Sequence, residues 1–238
     1  MRVVSQVVAF VAVALTLAAC GSETSSPTPA ASLVIHGSGQ PAAAGAAAVQ
    51  RSPDLPPDAQ WGGAVSLPIT FYALLISPNA DCSAPVLVQE FPGGEVKDFM
   101  LNPVLFEGSP ANGSYQCVIF KMSDVLRVTP STSFGACHVN TEYAGDIYKD
   151  GETDWKDEHG SAIVGHGSEE APVDDHVALF LTRSPEAALA RGISPHQTLQ
   201  LLSNLIVPGQ STFTLDASNA VLSAGGFCGI QPPQPSFH

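Results

Sequence analysis

Between Asp146 and Gly160 the chain reads DIYKDGETDWKDEHG, and Asp146, Asp150, Asp154 and Asp157 recur there at spacings of three or four residues. Carboxylates gathered on one loop suit a hard cation, because Ca²⁺ takes six to eight oxygen ligands. On a helix, Asp146, Asp150 and Asp154 would stack on one face and repel one another. Gly145, Gly151 and Gly160 weaken a helix further, so a loop is expected. The competing reading is a solvated acidic loop that aids solubility. A second set overlaps the first: His138, His159, His166 and His176 share this region with Glu169, Glu170, Asp174 and Asp175. Imidazole with carboxylate suits Zn²⁺ or Cu²⁺, but the spacing matches no metal motif and His-Glu-x-x-His is absent. Each histidine taken alone reads as a surface or turn residue.

The acidic stretch partly resembles an EF-hand calcium loop. Asp146 falls at the first ligand place, Asp150 at the fifth, Gly151 at the turn glycine, Asp154 at the ninth and Asp157 at the last. Tyr148 stands at the third place, where an acid or amide is expected, Asp157 replaces a longer glutamate, and neither flank is helical in pattern. The expectation is therefore Ca²⁺ held by Asp146, Asp150, Asp154 and Asp157 on a β-domain loop, set against a loop with no ion.

Catalytic signatures are sparse. GHGSE places Ser168 near His166 and acids, but Gly-x-Ser-x-Gly is missing and a triad is defined by geometry. A glycosidase-like pair of carboxylates is unreadable from spacing alone. No phosphate-binding or dinucleotide fingerprint occurs. With a formal net charge of −13 and scattered Lys and Arg, the chain lacks the basic surface that nucleic acid requires. Charge also disfavours anionic lipid surfaces.

The elements that would position these groups read mostly as strands. Ala64–Ile76, APVLVQEF, SYQCVIFKM, VLRV and HVALFLT are short apolar runs bounded by Gly, Pro, Asn, Asp or Ser. STFTLD and AVLSAG follow, with Asp216–Asn219 between them as a predicted hairpin turn. SPEAALARG predicts a helix with Ser184 as N-cap, Pro185 at its first position and Gly192 as its stop; SPHQTLQLLSNL repeats the start, with Leu199, Leu202 and Leu205 at helical spacing. The expected fold is mainly β, an antiparallel sandwich or barrel-like domain over 61–238 with a short helical insert. Cys82, Cys117, Cys137 and Cys228 form an even set without Cys-x-x-Cys, which predicts two structural disulfides in any of three pairings.

The N-terminus is of another kind. Met1-Arg2 precedes an apolar run from Val3 to Ala19, then Leu17-Ala18-Ala19-Cys20, the order of a secretory signal. LAAC resembles the lipobox of bacterial lipoproteins. The resemblance implies that residues 1–19 are a signal peptide, that Cys20 is acylated and becomes the first mature residue, and that Gly21 favours the outer membrane of a two-membrane cell. Residues 20–60 are rich in Ser, Thr, Pro, Ala and Gly and are expected to be a flexible tether broken only by Leu33–His36. Two functions fit: a lipid-anchored binding or structural module of the envelope, with a metal ion ordering its acidic loop, or an anchored, metal-assisted hydrolase. The membrane, reached through the acyl anchor, is an expected partner, and the sequence does not name a protein or envelope ligand.

Overall fold

Cys117–Ser123 is apolar on both faces, and a run of that kind belongs at the centre of a sheet. The computed structural model describes residues 32–40, 56–148, 151–168, 171–231 and 233–237, which all belong to the unit Ala31–His238. The signal peptide, Cys20, Asp150, Glu169 and Glu170 lie outside the described residues. In chain order the strands are β1 (Leu33–Gln40), β2 (Gln60–Gly62), β3 (Ala64–Ser66), β4 (Pro68–Ser77), β5 (Val86–Asp98), β6 (Val104–Gly108), β7 (Gly113–Tyr115), β8 (Cys117–Ser123), β9 (Val125–Pro130), β10 (Tyr143–Asp146), β11 (His176–Thr182), β12 (Thr198–Gln200), β13 (Leu205–Val207), β14 (Gly209–Asp216), β15 (Val221–Ala224), β16 (Phe227–Ile230) and β17 (Gln234–Phe237). One α-helix, α1 (Pro185–Ala190), follows β11 among the described residues.

Two sheets form the sandwich, ordered β12-β11-β8-β4-β5 and β17-β14-β1-β6; three smaller sheets flank them, and no barrel closes among the described residues. Most pairings are antiparallel, with β1–β14 and β11–β12 parallel. Alternation on β4 and β8 sends Ile69, Phe71, Leu74, Val118, Phe120 and Met122 into the core between the sheets. Phe213 of β14 stacks on Phe120 there, ring centroids 5.1 Å apart. The other face of β4 and β8, with Ala73, Leu75 and Ile119, joins Ala178 and Phe180 of β11 in a second core against Ala188 and Ile193. Burial on both faces explains why β8 lacks a polar alternation.

The predicted helix at Pro185 is present. Ser184 donates to the Glu186 carboxylate rather than capping a backbone amide. Its end is a Schellman turn: Gly192, at φ +90°, and Ile193 donate back to Leu189 and Ala188. The second helix expected at Ser194 is corrected to a single 3₁₀ turn, Pro195–Gln197, followed by β12. The buried Gln197 amide donates to Lys156 and Ala178 carbonyls, and β12 pairs with β11, so Leu202 is exposed instead of sharing a helical face with Leu199. The hairpin expected across Asp216–Asn219 is also absent. Between β14 and β15 the chain crosses from one sheet to another, and the true hairpin is β15–β16, turning on Gly225 and Gly226, both at positive φ.

The tether is corrected in its middle. Leu33–Gln40 is an interior strand between β14 and β6, with Leu33 and Ile35 fully buried. The period-two pattern of LVIH carries enough apolar area for a strand even inside a low-complexity stretch. The cysteines pair Cys82–Cys117 and Cys137–Cys228, closing separations of 35 and 91 residues.

Candidate functional site

β4 loses its regular register at Tyr72. Phe71 and Ala73 pair with the adjacent residues Met122 and Lys121 of β8, leaving Tyr72 as the extra residue of a bulge. On the other side Phe71 faces Glu95 and Ala73 faces Glu90, so Phe91-Pro92-Gly93-Gly94 arches away from the same point. Gly93 and Gly94 take φ near +80°, and a Cβ on Gly94 would stand 2.6 Å from Thr70 Cγ2 and 2.9 Å from Tyr72 Cε1. Opposed irregularities on two adjacent strands open a groove of about 310 Å³, lined by Tyr72, Glu90, Phe91, Lys121, Glu158, His159 and His176 among others.

The groove carries paired charge. Lys121 Nζ donates to Glu158 Oε1 at 2.8 Å, and His159 Nε2 lies 3.9 Å from the same oxygen. Glu158 Oε2 is buried and has no hydrogen-bond partner. His176, the first residue of β11, stacks on Tyr72 with centroids 3.6 Å apart. The Tyr72 hydroxyl donates to Asp174. Burial foremost, then that carboxylate, raises the phenol well above its ordinary range, so it acts as a donor and not as a base.

Behind the groove the acids form a separate node. Asp124 and Asp146 are both buried and lie beside one another, with Asp124 Oδ2 lacking a hydrogen-bond partner. Asp124 Oδ1 accepts from Asp175 N at 2.8 Å, while Asp146 accepts from Tyr148 N at 3.3 Å and Val173 N at 3.2 Å. Burial above all, with Asp146 beside it, pushes Asp124 up to about 9. Asp175 in turn meets His166, through the backbone amide at 2.5 Å and the ring Nδ1 at 2.8 Å. The node ties the end of β10 to the loops before β11.

The sequence-predicted ligands are thus divided. Asp146 is a buried structural acid. Asp154 accepts from Ser194 Oγ at 3.2 Å, and Asp157 closes its own turn by accepting from His159 N and Ser161 N. Tyr148, at the third place of the calcium pattern, is a fully buried ring stacked on Trp155. His138 lies apart, its amide bonded to the Tyr143 hydroxyl. Among the described residues no group of three or more His, Cys, Asp or Glu side chains is placed to hold a metal ion. Only His159 and His176 of the predicted set line the groove. Sequence reasoning missed Tyr72, Lys121, Glu158 and Asp124. Pro92-Gly93-Gly94 inside an apolar run was the available sign, since such residues within a strand mark a bulge.

No protein-family model, curated protein or solved structure matches the chain.

Proposed function

We propose that this protein is an exported lipoprotein, acylated at Cys20 and held at the outer membrane, whose β-sandwich is a binding module that takes a polar ligand in the groove beside Tyr72. The observation that carries the reading is Glu158 Oε2, a buried carboxylate oxygen without a donor, at the edge of a groove set on rigid strands. Such an acceptor suits a ligand that brings hydroxyl or ammonium hydrogens, with Lys121 fixing the carboxylate and Tyr72–His176 supplying a flat wall.

The test has two parts. Mass spectrometry of the N-terminal peptide from native cells should find Cys20 carrying fatty acyl groups; an unmodified Met1 terminus would refute the anchor. Melting curves with glucose, glucosamine and putrescine should show a saturable rise that Glu158→Gln abolishes. Absence of any saturable shift would refute the groove as a site for such ligands. Chelator-sensitive turnover of ester, phosphate or glycoside substrates would replace the module with a hydrolase.

A further inference from the structure

β1 changes where the chain can meet a membrane. Because Leu33–Gln40 lies inside the sheet, the 12 residues Gly21–Ser32 are all that separate Cys20 from the fold, and that stretch spans at most about 45 Å when fully extended. Pairing defines the point of entry. Leu33 registers with Gly108 of β6 and Gly209 of β14, and Gly209 N donates to Ser32 O at 3.0 Å. β7 and β13 pair with each other beside that entry, since β7 follows β6 and β13 leads into β14.

This end differs from the rest of the chain in charge. Of the 22 Asp and Glu residues, none falls in 108–123 or in 187–215, the segments that hold β7 and β13. Leu202 and Ile206 are exposed there among Asn112, Ser114, Ser203 and Asn204. Asn204 Nδ2 donates to Ser114 Oγ at 2.8 Å and the Tyr115 hydroxyl to Ala111 O at 2.7 Å, so both turns are held. Arg183, itself exposed, donates to the Leu201 and Leu202 carbonyls and sets a positive charge beside Leu202. Two acids flank the surface: Glu107, paired with Val34 one step along β6, and Asp81, held within its own loop by Ser83.

An acid-free surface with two aliphatic side chains and an arginine at its edge suits a zwitterionic head-group layer, where apolar groups enter the interface and guanidinium meets phosphate. We propose that this end of the sandwich, Ser109–Ser114 together with Leu202–Pro208, rests on the bilayer that holds the acyl chains of Cys20. The inference rests on the anchor proposed above. A short tether keeps the surface within reach of the lipid, so a contact too small to recruit a free protein suffices for an anchored one.

The experiment places one indole at the surface with Ile206→Trp and another with Leu101→Trp near Gly39, toward the far end of β1. Both parent side chains are exposed, so neither change enters the core. The acylated mature chain is held in phosphatidylcholine nanodiscs, one copy per disc, with and without lipid brominated near the head groups. Emission from Trp61 and Trp155 is subtracted with the parent chain. The emission added by Ile206→Trp should fall by about twofold in brominated lipid, while that added by Leu101→Trp stays unchanged. Introducing Leu202→Asp into the Ile206→Trp chain should restore the emission. Emission at position 206 that ignores bromine, in a chain retained on the disc, overturns the contact, whether the surface is bare or covered by protein. Equal quenching at both positions overturns the assigned end. A chain that carries no acyl group and leaves the disc refutes the anchor, and the contact with it. If Ile206→Trp fails to fold, Leu202→Trp read in the same way decides.

Discussion

Asp124 and Asp146 are two buried acids set side by side inside the sandwich. Asp124 Oδ2 is buried without a hydrogen-bond partner, while Asp124 Oδ1 accepts from Asp175 N and the Asp146 carboxylate accepts from Tyr148 N and Val173 N. Burial, with the Asp146 carboxyl beside it, disfavours the Asp124 anion, so Asp124 keeps its proton at neutral pH. Together they fasten β10 to the segment that leads into β11.

The pair makes stability depend on pH in a stated direction. The folded Asp124 value, about 9, lies above the ordinary 3.8. Below pH 4 both folded and unfolded chains hold the proton, and the contribution is fully present. As pH rises the unfolded chain ionises first, so stability falls until the folded carboxyl also ionises near pH 9. Asp124→Asn keeps a donor toward Asp146 and an acceptor for Asp175 N. Urea midpoints between pH 5 and 9 should decline more steeply for the wild-type chain than for Asp124→Asn; equal slopes would count against a protonated Asp124.

Tyrosine ionisation gives a second check. Burial, as the first cause, raises both Tyr72 and Tyr148. Absorbance at alkaline pH should show a late-titrating component among the four tyrosines. Tyr72→Phe should diminish that component while the sandwich stays folded. An unaltered curve would mean that Tyr72 is not the group held protonated by Asp174.

Gly93 and Gly94 separate backbone strain from contact. Both have φ near +80°, but only Gly94 has neighbours that a methyl group would strike, Thr70 and Tyr72. Gly93→Ala should cost about 1 kcal/mol from conformation alone. Gly94→Ala should cost more, on the order of 2–3 kcal/mol, and should also disturb Tyr72. Thermal melting with near-ultraviolet dichroism measures both effects; equal costs would argue against the close approach.

β1 offers a test of how far the domain extends. Ile35 is fully buried between the sheets. Ile35→Ala should lower unfolding free energy by about 2–5 kcal/mol, the range for deleting a core side chain. In a free tether the same change would stay within about 0.5 kcal/mol.

Local patterns were enough for much of the architecture, and for physical reasons that act over a few residues. Short apolar runs bounded by turn-forming residues marked β4, β8, β11 and β14, because a strand of a few residues suffices to cross a sheet. Ser-Pro before and Gly after EAALAR marked α1, where a fixed φ starts the helix and a positive φ ends it. The four cysteines other than Cys20, an even set without Cys-x-x-Cys, indicated two disulfides. The same local logic misread Leu199, Leu202 and Leu205, whose helical spacing was overridden when β12 joined β11 and Gln197 was buried across the chain.

Partner choice lay beyond local pattern. Which cysteines pair, that β1 lies beside β14 about 175 residues later, and that Asp146 turns inward to meet Asp124 all depend on which distant segments pack together. An aspartate on a page carries the same formula whether water or another carboxyl surrounds it. Burial decides its charge, and burial is a property of the assembled sandwich, so within one acidic run Asp146 lies inside, Glu158 meets Lys121 in the groove and Asp157 closes a turn.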